Sequence, residues 1–234
     1  MHEEHRDHEE LVRQLNDKTL RDEYARPYNN YTVGMVPKIF GWLLVTSGNI
    51  LYGSKPAYAK FKAIEVIARI PYQSWESAAY TLLSALYGDE RFAIRLCQIT
   101  AFSRFAQDNE TMHVVVNSHI TQRHKCEGFF RHTFIPIVFA FFYFWVAYIL
   151  YLCSHKAALE LNYLFESHAY DQYSEFLEKN ESYLKQQPLV SEFLQFYGRE
   201  VRTEYEFFET VRNDELIHRN RSIREITMFE GKGL

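Results

Sequence analysis

The chain has 234 residues, of which 47% are hydrophobic and 17% aromatic, so it can bury one sizeable core, and we expect a single domain. The net charge is −4 and the basic residues are scattered, which excludes a concentrated binding surface for a nucleic-acid backbone. The three cysteines, Cys97, Cys126 and Cys153, include no close pair, so neither a disulfide framework nor a thiolate zinc site is expected.

Residues 1–30 are predicted to form a polar N-terminal arm. This acidic, polar stretch is unlike a secretory signal or an Arg- and Ser-rich transit peptide, so no targeting peptide is predicted. His2, His5 and His8 recur at every third residue, a spacing compatible with adventitious metal binding, but we expect a solvated tail. The main domain is predicted over residues 31–225, followed by a C-terminal tail over residues 226–234.

Helical spacing of apolar residues predicts four long helices, over residues 59–87, 91–121, 157–180 and 199–225. Gly88 with Asp89 separates the first two, and the segment Gln186, Gln187, Pro188 precedes the last. A fifth helix is predicted over residues 133–153, and strand-like alternation is scarce. The sequence therefore predicts an all-α bundle.

The fifth predicted helix, TFIPIVFAFFYFWVAYILYLC, runs 21 residues without a formal charge, which matches a membrane span in length and polarity. Residues 35–52 are a weaker, interfacial candidate because they contain Lys38, Ser47 and Asn49. The apolar helix could instead be buried in the bundle, or lie against lipid along one side. The residues alone leave these alternatives open.

Two copies of Glu-x-x-His are the most informative motifs in the chain: Glu110 with His113, and Glu215 with His218. Three residues is slightly less than one helical turn, so the Glu and His of each pair project from the same helix face. One such pair is usually a surface pair. Two pairs, together with a lone Glu from each of two further helices, are typical of ferritin-like di-iron carboxylate bundles.

Lone glutamates are available on the remaining predicted helices. Glu166 lies among apolar and aromatic neighbours, where a carboxylate is costly unless it binds a cation or a hydrogen-bond donor. Glu65 and Glu76 are eleven residues apart, close to three turns or roughly 16 Å along one helix face, so helical phase does not choose between them. The apolar neighbours Ile64 and Val66 favour Glu65.

Four carboxylates and two imidazoles suit a pair of iron ions, since oxygen ligands stabilise ferric iron and open positions admit dioxygen. Zinc fits this set less well because the set is rich in carboxylates. We therefore expect two iron ions as the cofactor, in a non-haem di-iron centre.

Four segments occur in the order AIEVIARIPY, DNETMH, FESHAYDQY and RNDELIH between residues 60 and 218. In these segments the sequence resembles the alternative oxidase family of membrane-bound di-iron quinol oxidases, and in particular its plastid terminal oxidase branch. The resemblance implies a ferritin-like four-helix bundle with a di-iron carboxylate centre and additional apolar, membrane-associated helices. It selects Glu65 over Glu76. The implied ligands, with the histidines bound directly or through hydrogen bonds, are Glu65, Glu110, His113, Glu166, Glu215 and His218.

The resemblance also implies roles around the ligands. Tyr173, two turns after Glu166, matches a tyrosine implicated in the family's oxygen chemistry. Asn109 and Asp214, each directly before a motif glutamate, match positions that orient the ligands. His168 matches a position from which a hydrogen bond could be donated near the site.

Quinol contacts are implied for Lys60, Arg69 and Gln172. The chain departs from the family pattern at two of these positions. Lys60 stands where the family commonly has Arg, and a lysine is a point donor rather than a planar fork, which predicts a different quinol affinity or head-group preference. Gln172 replaces a residue that is frequently smaller. The separation of Glu65 from Glu110 is also a few residues longer than the family norm.

The expected function is quinol oxidation coupled to four-electron reduction of dioxygen to water, with plastoquinol or ubiquinol as donor. The resemblance implies a homodimer bound to a bacterial inner or thylakoid-type lipid membrane on one side only. A true span over residues 133–153 would separate Glu110 from Glu166, so we expect this helix to pack in the bundle or to dip into one leaflet. The alternatives are a di-iron hydroxylase acting on a lipophilic substrate and a non-enzymatic iron-binding membrane protein.

Overall fold

The computed structural model describes residues 3–230, in which regular structure is helical apart from one isolated β-bridge between Pro188 and Thr203. A short 3-10 turn covers Arg26–Tyr28, and a π-helical turn covers Phe130–Phe134. The α-helices of the described residues are α1 (Glu3–Gln14), α2 (Lys18–Ala25), α3 (Met35–Tyr52), α4 (Tyr58–Ala68), α5 (Ile70–Leu86), α6 (Glu90–Arg123), α7 (Ile135–Cys153), α8 (His155–Leu184), α9 (Glu192–Tyr197) and α10 (Glu204–Phe229).

The predicted all-α class is confirmed, and four of the five predicted helices correspond to α6, α7, α8 and α10. The single helix predicted over residues 59–87 is wrong as one element, because it consists of α4 and α5, which meet at Arg69. Pro71 lies in the first turn of α5. Proline has no N–H to donate and its ring crowds the preceding turn, so the helix is interrupted there.

The starts of three bundle helices are defined by side-chain caps. Asp89, Ser154 and Thr203 precede α6, α8 and α10, and each accepts a hydrogen bond of 3.0–3.2 Å from a backbone N–H three residues later. Such caps satisfy N–H groups that have no partner within the helix. The predicted separation at Gly88 and Asp89 is confirmed, with Asp89 acting as the cap.

Helices α4, α6, α8 and α10 form a four-helix bundle, with α5 and α7 packed beside it and α1 packed on α10. Two large apolar clusters fill the interior. One contains Tyr72, Trp75, Leu96, Phe102 and Tyr151. The other contains Phe61, Met112, Tyr173, Phe207 and Phe208. Tyr72 and Tyr173 are each also hydrogen-bonded to a buried carboxylate, so the candidate site adjoins both clusters.

The N-terminal arm is packed on the bundle. The expectation of a solvated tail is therefore wrong for its described residues. Val12 of α1 and Leu15 directly after that helix, each 1% exposed, are buried in a cluster with Leu216 of α10. His8 is also buried. His2 lies outside the described residues. The domain limits at residues 30 and 225 stay predictions, although α10 extends to Phe229.

Helices α3 and α7 contribute Phe40, Leu44, Tyr143 and Ala147 to an apolar cluster with Leu161 of α8, and both leave a broad apolar surface uncovered. Within residues 3–230 one helical stretch, Phe130–Cys153, is long and apolar enough to cross a membrane, and only 28% of its most apolar 18 residues are buried. The exposed apolar side chains of both helices, together with Phe134 directly before α7, are called the apolar face below: Met35, Val36, Ile39, Trp42, Leu43, Ile50, Phe134, Ile137, Val138, Phe141, Phe142, Trp145, Val146 and Ile149.

Candidate metal centre

The structure brings all six predicted ligands together inside the four-helix bundle. Each bundle helix contributes at least one of them, and none is more than 2% exposed. They form two overlapping groups, and within each group one ligand atom per residue lies within 4.8 Å of the others. The groups are Glu65, Glu110, His113, Glu215 and Glu110, Glu166, Glu215, His218. Since Glu110 and Glu215 belong to both groups, the cluster offers two adjacent positions that could each hold a metal ion.

The Glu-x-x-His spacing produces the local geometry. Nδ1 of His113 lies 3.3 Å from Oε2 of Glu110 on the same helix, 3.4 Å from Oε1 of Glu215 and 3.5 Å from Oε2 of Glu65. Nδ1 of His218 lies 2.9 Å from Oε1 of Glu110. Both imidazoles are thus turned toward the carboxylates, which is the orientation that metal ligation requires.

Many of these atoms have no hydrogen-bond partner within the protein. All four glutamates have at least one buried carboxylate oxygen without a partner, as do both ring nitrogens of His218. His218 and Glu110 approach closely, but outside hydrogen-bond geometry. Unpaired buried polar atoms are costly. This oxygen-rich set with two imidazoles therefore fits a pair of iron ions, which would supply the missing partners.

The electrostatics of the metal-free cluster also favour the binding of cations. Burial raises the pKa of Glu65 to about 7, and burial together with the Glu110 and Glu166 charges raises the pKa of Glu215 well above its usual range. Burial also raises the pKa of Glu166. Burial opposes ionisation of Glu110, but the adjacent His113 and the other imidazole of the cluster hold its pKa below the usual range. The cluster shares protons that bound cations would replace.

Asp214 contacts the ring of His113. Its Oδ2 lies 2.8 Å from Nε2 of His113. An ionised carboxylate can only accept, so Nε2 carries a proton and, in the neutral ring, Nδ1 is left free to bind a metal. Burial opposes ionisation of Asp214, but Arg199, together with hydrogen bonds from His113 and His8, holds its pKa well below the usual range.

Two further predicted residues lie beside the centre in different settings. The Tyr173 hydroxyl donates to Glu65, and its ring stacks on Phe61 with centroids 4.1 Å apart. Burial raises the pKa of Tyr173 well above its usual range, so the phenol is neutral at physiological pH. Asn109 donates to the hydroxyl of Tyr197 at 3.0 Å rather than to a ligand.

Sequence reasoning missed two residues of the centre. Tyr72 donates to Oε1 of Glu166 at 2.7 Å, and Nδ2 of Asn162 contacts the same oxygen at 3.1 Å and the Tyr72 hydroxyl at 2.9 Å. Asn162 precedes Glu166 by four residues, so the helical repeat could have identified it. Tyr72 follows Glu65 by seven residues, but the break at Arg69 intervenes.

An apolar cavity leads away from the centre between α3, α4, α7 and α8. Its wall includes Glu65 and Tyr173 at the inner end and the polar residues Lys60, His168 and Gln172. Most of the remaining wall is aliphatic or aromatic.

The predicted quinol-contact residues are only partly brought together. Nζ of Lys60 donates to Oε1 of Gln172 at 2.8 Å and to Oδ1 of Asn49 at 3.2 Å. Arg69 lies at the junction of α4 and α5 and is not part of the described cavity wall. His168 lines the cavity, and among the hydrogen bonds of residues 3–230 none joins its ring to a site carboxylate.

A family model for alternative oxidases matches residues 3–224. The chain belongs to the alternative oxidase family. A relative in Arabidopsis thaliana, ubiquinol oxidase 4, chloroplastic/chromoplastic, is 27% identical over 140 residues. That match covers 60% of this chain and 37% of the relative, so the matching region is little more than a third of the relative's length. No solved structure gives a significant match. The resemblance inferred from four short motifs, including its likeness to a plastid member, is confirmed.

Proposed function

We propose that the chain is a membrane-bound quinol oxidase that couples oxidation of two quinols to reduction of dioxygen to water at a non-haem di-iron centre. Family membership and the name of the Arabidopsis relative support this proposal. The observation that carries it is the apolar cavity, which extends from Glu65 and Tyr173 toward the side of the protein that carries the apolar face. A storage site for iron needs no such passage, whereas a lipophilic quinol does.

The cavity adjoins a groove beside the apolar face, because the two share walls. Leu44 and Ser47 of α3, with Ile135 and Phe139 of α7, line both the cavity and an adjacent groove. The groove is walled further by members of the apolar face such as Phe142. We propose that a quinol dissolved in lipid reaches the centre by this route, without passing through water.

The residues that would hold the iron ions are Glu65, Glu110, His113, Glu166, Glu215 and His218. When bound, the iron pair supplies one-electron redox steps and dioxygen activation, which the protein side chains do not provide. Apolar walls exclude water from the reacting region.

The polar residues of the cavity bind and orient the quinol. Lys60 and the amide of Gln172 are groups to which a quinol hydroxyl can bond in place of their present partners. Tyr173 holds its proton against Glu65 at the inner end of the cavity, between the quinol and the metal ligands. It is therefore placed to transfer a proton to the oxygen-reducing side.

The apolar face is the proposed membrane-binding surface. Helix α7 lies between α6 and α8 in the chain, yet ligand atoms of Glu110 and Glu166 lie within 4.8 Å of each other. A single complete crossing by α7 would put these residues on opposite sides of the bilayer. We therefore propose that α3 and α7 lie in one leaflet, and that reporters placed before residue 131 and after residue 156 lie on the same side. By family analogy, we also propose a homodimer.

The test is oxygen consumption by the iron-loaded, detergent-purified protein with a short-chain quinol, with and without cyanide. Cyanide-resistant uptake is expected, and it should be lost in Glu110→Ala. Glu76→Ala is the matched control, because Glu76 pairs with Arg104 on the surface instead of entering the cluster. Labelled oxygen in an organic product rather than in water would indicate a hydroxylase. Iron binding without uptake, using several quinols, would refute the oxidase function.

A further inference from the structure

We infer that helix α1 is part of the metal centre, because Glu9 and Arg199 hold Asp214 in place and, through it, position His113. This inference rests on the proposed metal centre. Two residues outside the bundle helices, one of them in the N-terminal arm, thus control how a metal ligand is presented.

Arg199 is a buried clamp between two carboxylates. It is 4% exposed and follows Gly198, whose left-handed conformation (φ 91°) ends α9. Nε lies 3.0 Å from Oε2 of Glu9, and Nη2 lies 2.6 Å from Oε1 of Glu9 and 3.0 Å from Oδ1 of Asp214. Nη1 donates to Oδ2 of Asp214. A planar guanidinium can engage both carboxylates in this two-pronged way, whereas a lysine cannot.

Helix α1 makes a second contact with the same aspartate. Nε2 of His8 lies 2.8 Å from Oδ1 of Asp214, and the His8 ring packs against Phe105 of α6 with centroids 4.7 Å apart. Both oxygens of Asp214 are therefore occupied: Oδ1 by His8 and Arg199, and Oδ2 by His113 and Arg199. A carboxylate held at both oxygens cannot rotate freely. Asp214 therefore fixes the orientation of the His113 ring plane as well as which ring nitrogen carries the proton.

The clamp also connects to Asn109. Arg199 lies over the ring of Tyr197, 5.6 Å from its centroid, and the Tyr197 hydroxyl accepts from Asn109, the residue before the ligand Glu110. Contacts from α1 and α9 thus converge on both Glu-x-x-His helices.

Loss of Glu9 would leave the buried guanidinium of Arg199 with one carboxylate partner fewer. The guanidinium would then be free to reorient, which loosens Asp214.

The experiment is a titration of the metal-free full chain with Co²⁺, and with Fe²⁺ under anaerobic conditions, in Glu9→Gln and Arg199→Lys variants. Both substitutions are expected to weaken metal affinity about 10-fold or more and to alter the visible Co²⁺ spectrum. Glu10→Gln is the matched control, since Glu10 is the exposed neighbour of Glu9 on the same helix and undergoes the same charge change. It is expected to behave as the parent protein.

Measurements in an Asp214→Asn background separate the positioning of His113 from effects on general stability. In Asp214→Asn, the additional change Glu9→Gln is expected to cause little further loss of metal affinity, because the clamp acts through Asp214. Variants that melt at lower temperature but bind Co²⁺ with parental affinity and spectrum would overturn the inference, as would additive losses in the Asp214→Asn background. Failure of the parent protein to bind two metal ions would instead refute the proposed centre itself.

Discussion

Tyr72 donates a 2.7 Å hydrogen bond to Glu166, although the two residues lie on different helices, 94 positions apart in the chain. The tyrosine is 0% exposed, and its hydroxyl also accepts from Asn162. Glu166 is therefore held by two groups through one oxygen, Oε1, and its other oxygen has no partner in the protein. That free oxygen is the one available to a metal ion.

Tyr72→Phe is expected to weaken metal binding by about 10-fold or more, because Glu166 loses the hydroxyl that orients it. The metal-free protein should lose about 1 kcal/mol of unfolding free energy, the usual worth of one buried hydrogen bond. Metal titration and thermal unfolding measure the two effects. Parental metal affinity in the variant would show that Tyr72 has no orienting role.

Tyr173→Phe is expected to separate metal binding from turnover. The phenol donates to Glu65 and is not itself one of the six clustered ligands, so both metal ions should still bind. Quinol-dependent oxygen uptake should fall by about 100-fold, the low end of the range for loss of a positioned proton donor. A variant with parental kcat would exclude Tyr173 from the chemistry.

The metal-free protein is expected to lose stability as the pH rises from about 6.5 to 8. The folded chain raises the pKa of Glu65 to about 7 and also raises the pKa values of Glu166, Glu215, His113 and His218, by burial for the carboxyls and by adjacent carboxylates for the imidazoles. In the unfolded chain these groups titrate near 4.5 and 6.5. The folded state therefore binds more protons over this interval.

Bound metal ions replace those protons, so the melting temperature of the metal-loaded protein should decline less over the same interval. The difference between metal-loaded and metal-free melting temperatures should consequently widen from pH 6.5 to 8. A metal-free melting temperature that is constant or rises between these pH values would contradict the shared-proton description of the cluster.

Trp42→Glu and Phe141→Glu are expected to weaken binding to phospholipid vesicles by about 10-fold or more, since each places a charge in the proposed lipid-facing surface. The two side chains are 65% and 62% exposed, on α3 and α7. Phe196→Glu is the control, because Phe196 is 84% exposed on α9, away from the apolar face. Vesicle co-flotation measures binding, and metal titration should be parental in all three variants. Equal vesicle binding by the three variants would exclude the apolar face as the membrane-binding surface.

Local periodicity accounts for what was predictable about the candidate site. Glu110 with His113 and Glu215 with His218 share helix faces by spacing alone, and Glu166 stood out because it is a carboxylate among apolar residues. The choice between Glu65 and Glu76 could not be made by helical phase. In the structure, Glu65 is 2% exposed within the cluster, whereas Glu76 pairs with Arg104 beside solvent.

The sequence by itself determined the all-α class, the two Glu-x-x-His pairs and the family, because these depend on the order and spacing of residues along the chain. Only the tertiary structure decided that Tyr72 hydrogen-bonds to Glu166, that α1 is packed on the bundle, and that Arg199 bridges Asp214 and Glu9, which lies 190 positions before the arginine. Such contacts join residues far apart in the chain. They depend on the packing of whole helices, which no local pattern records.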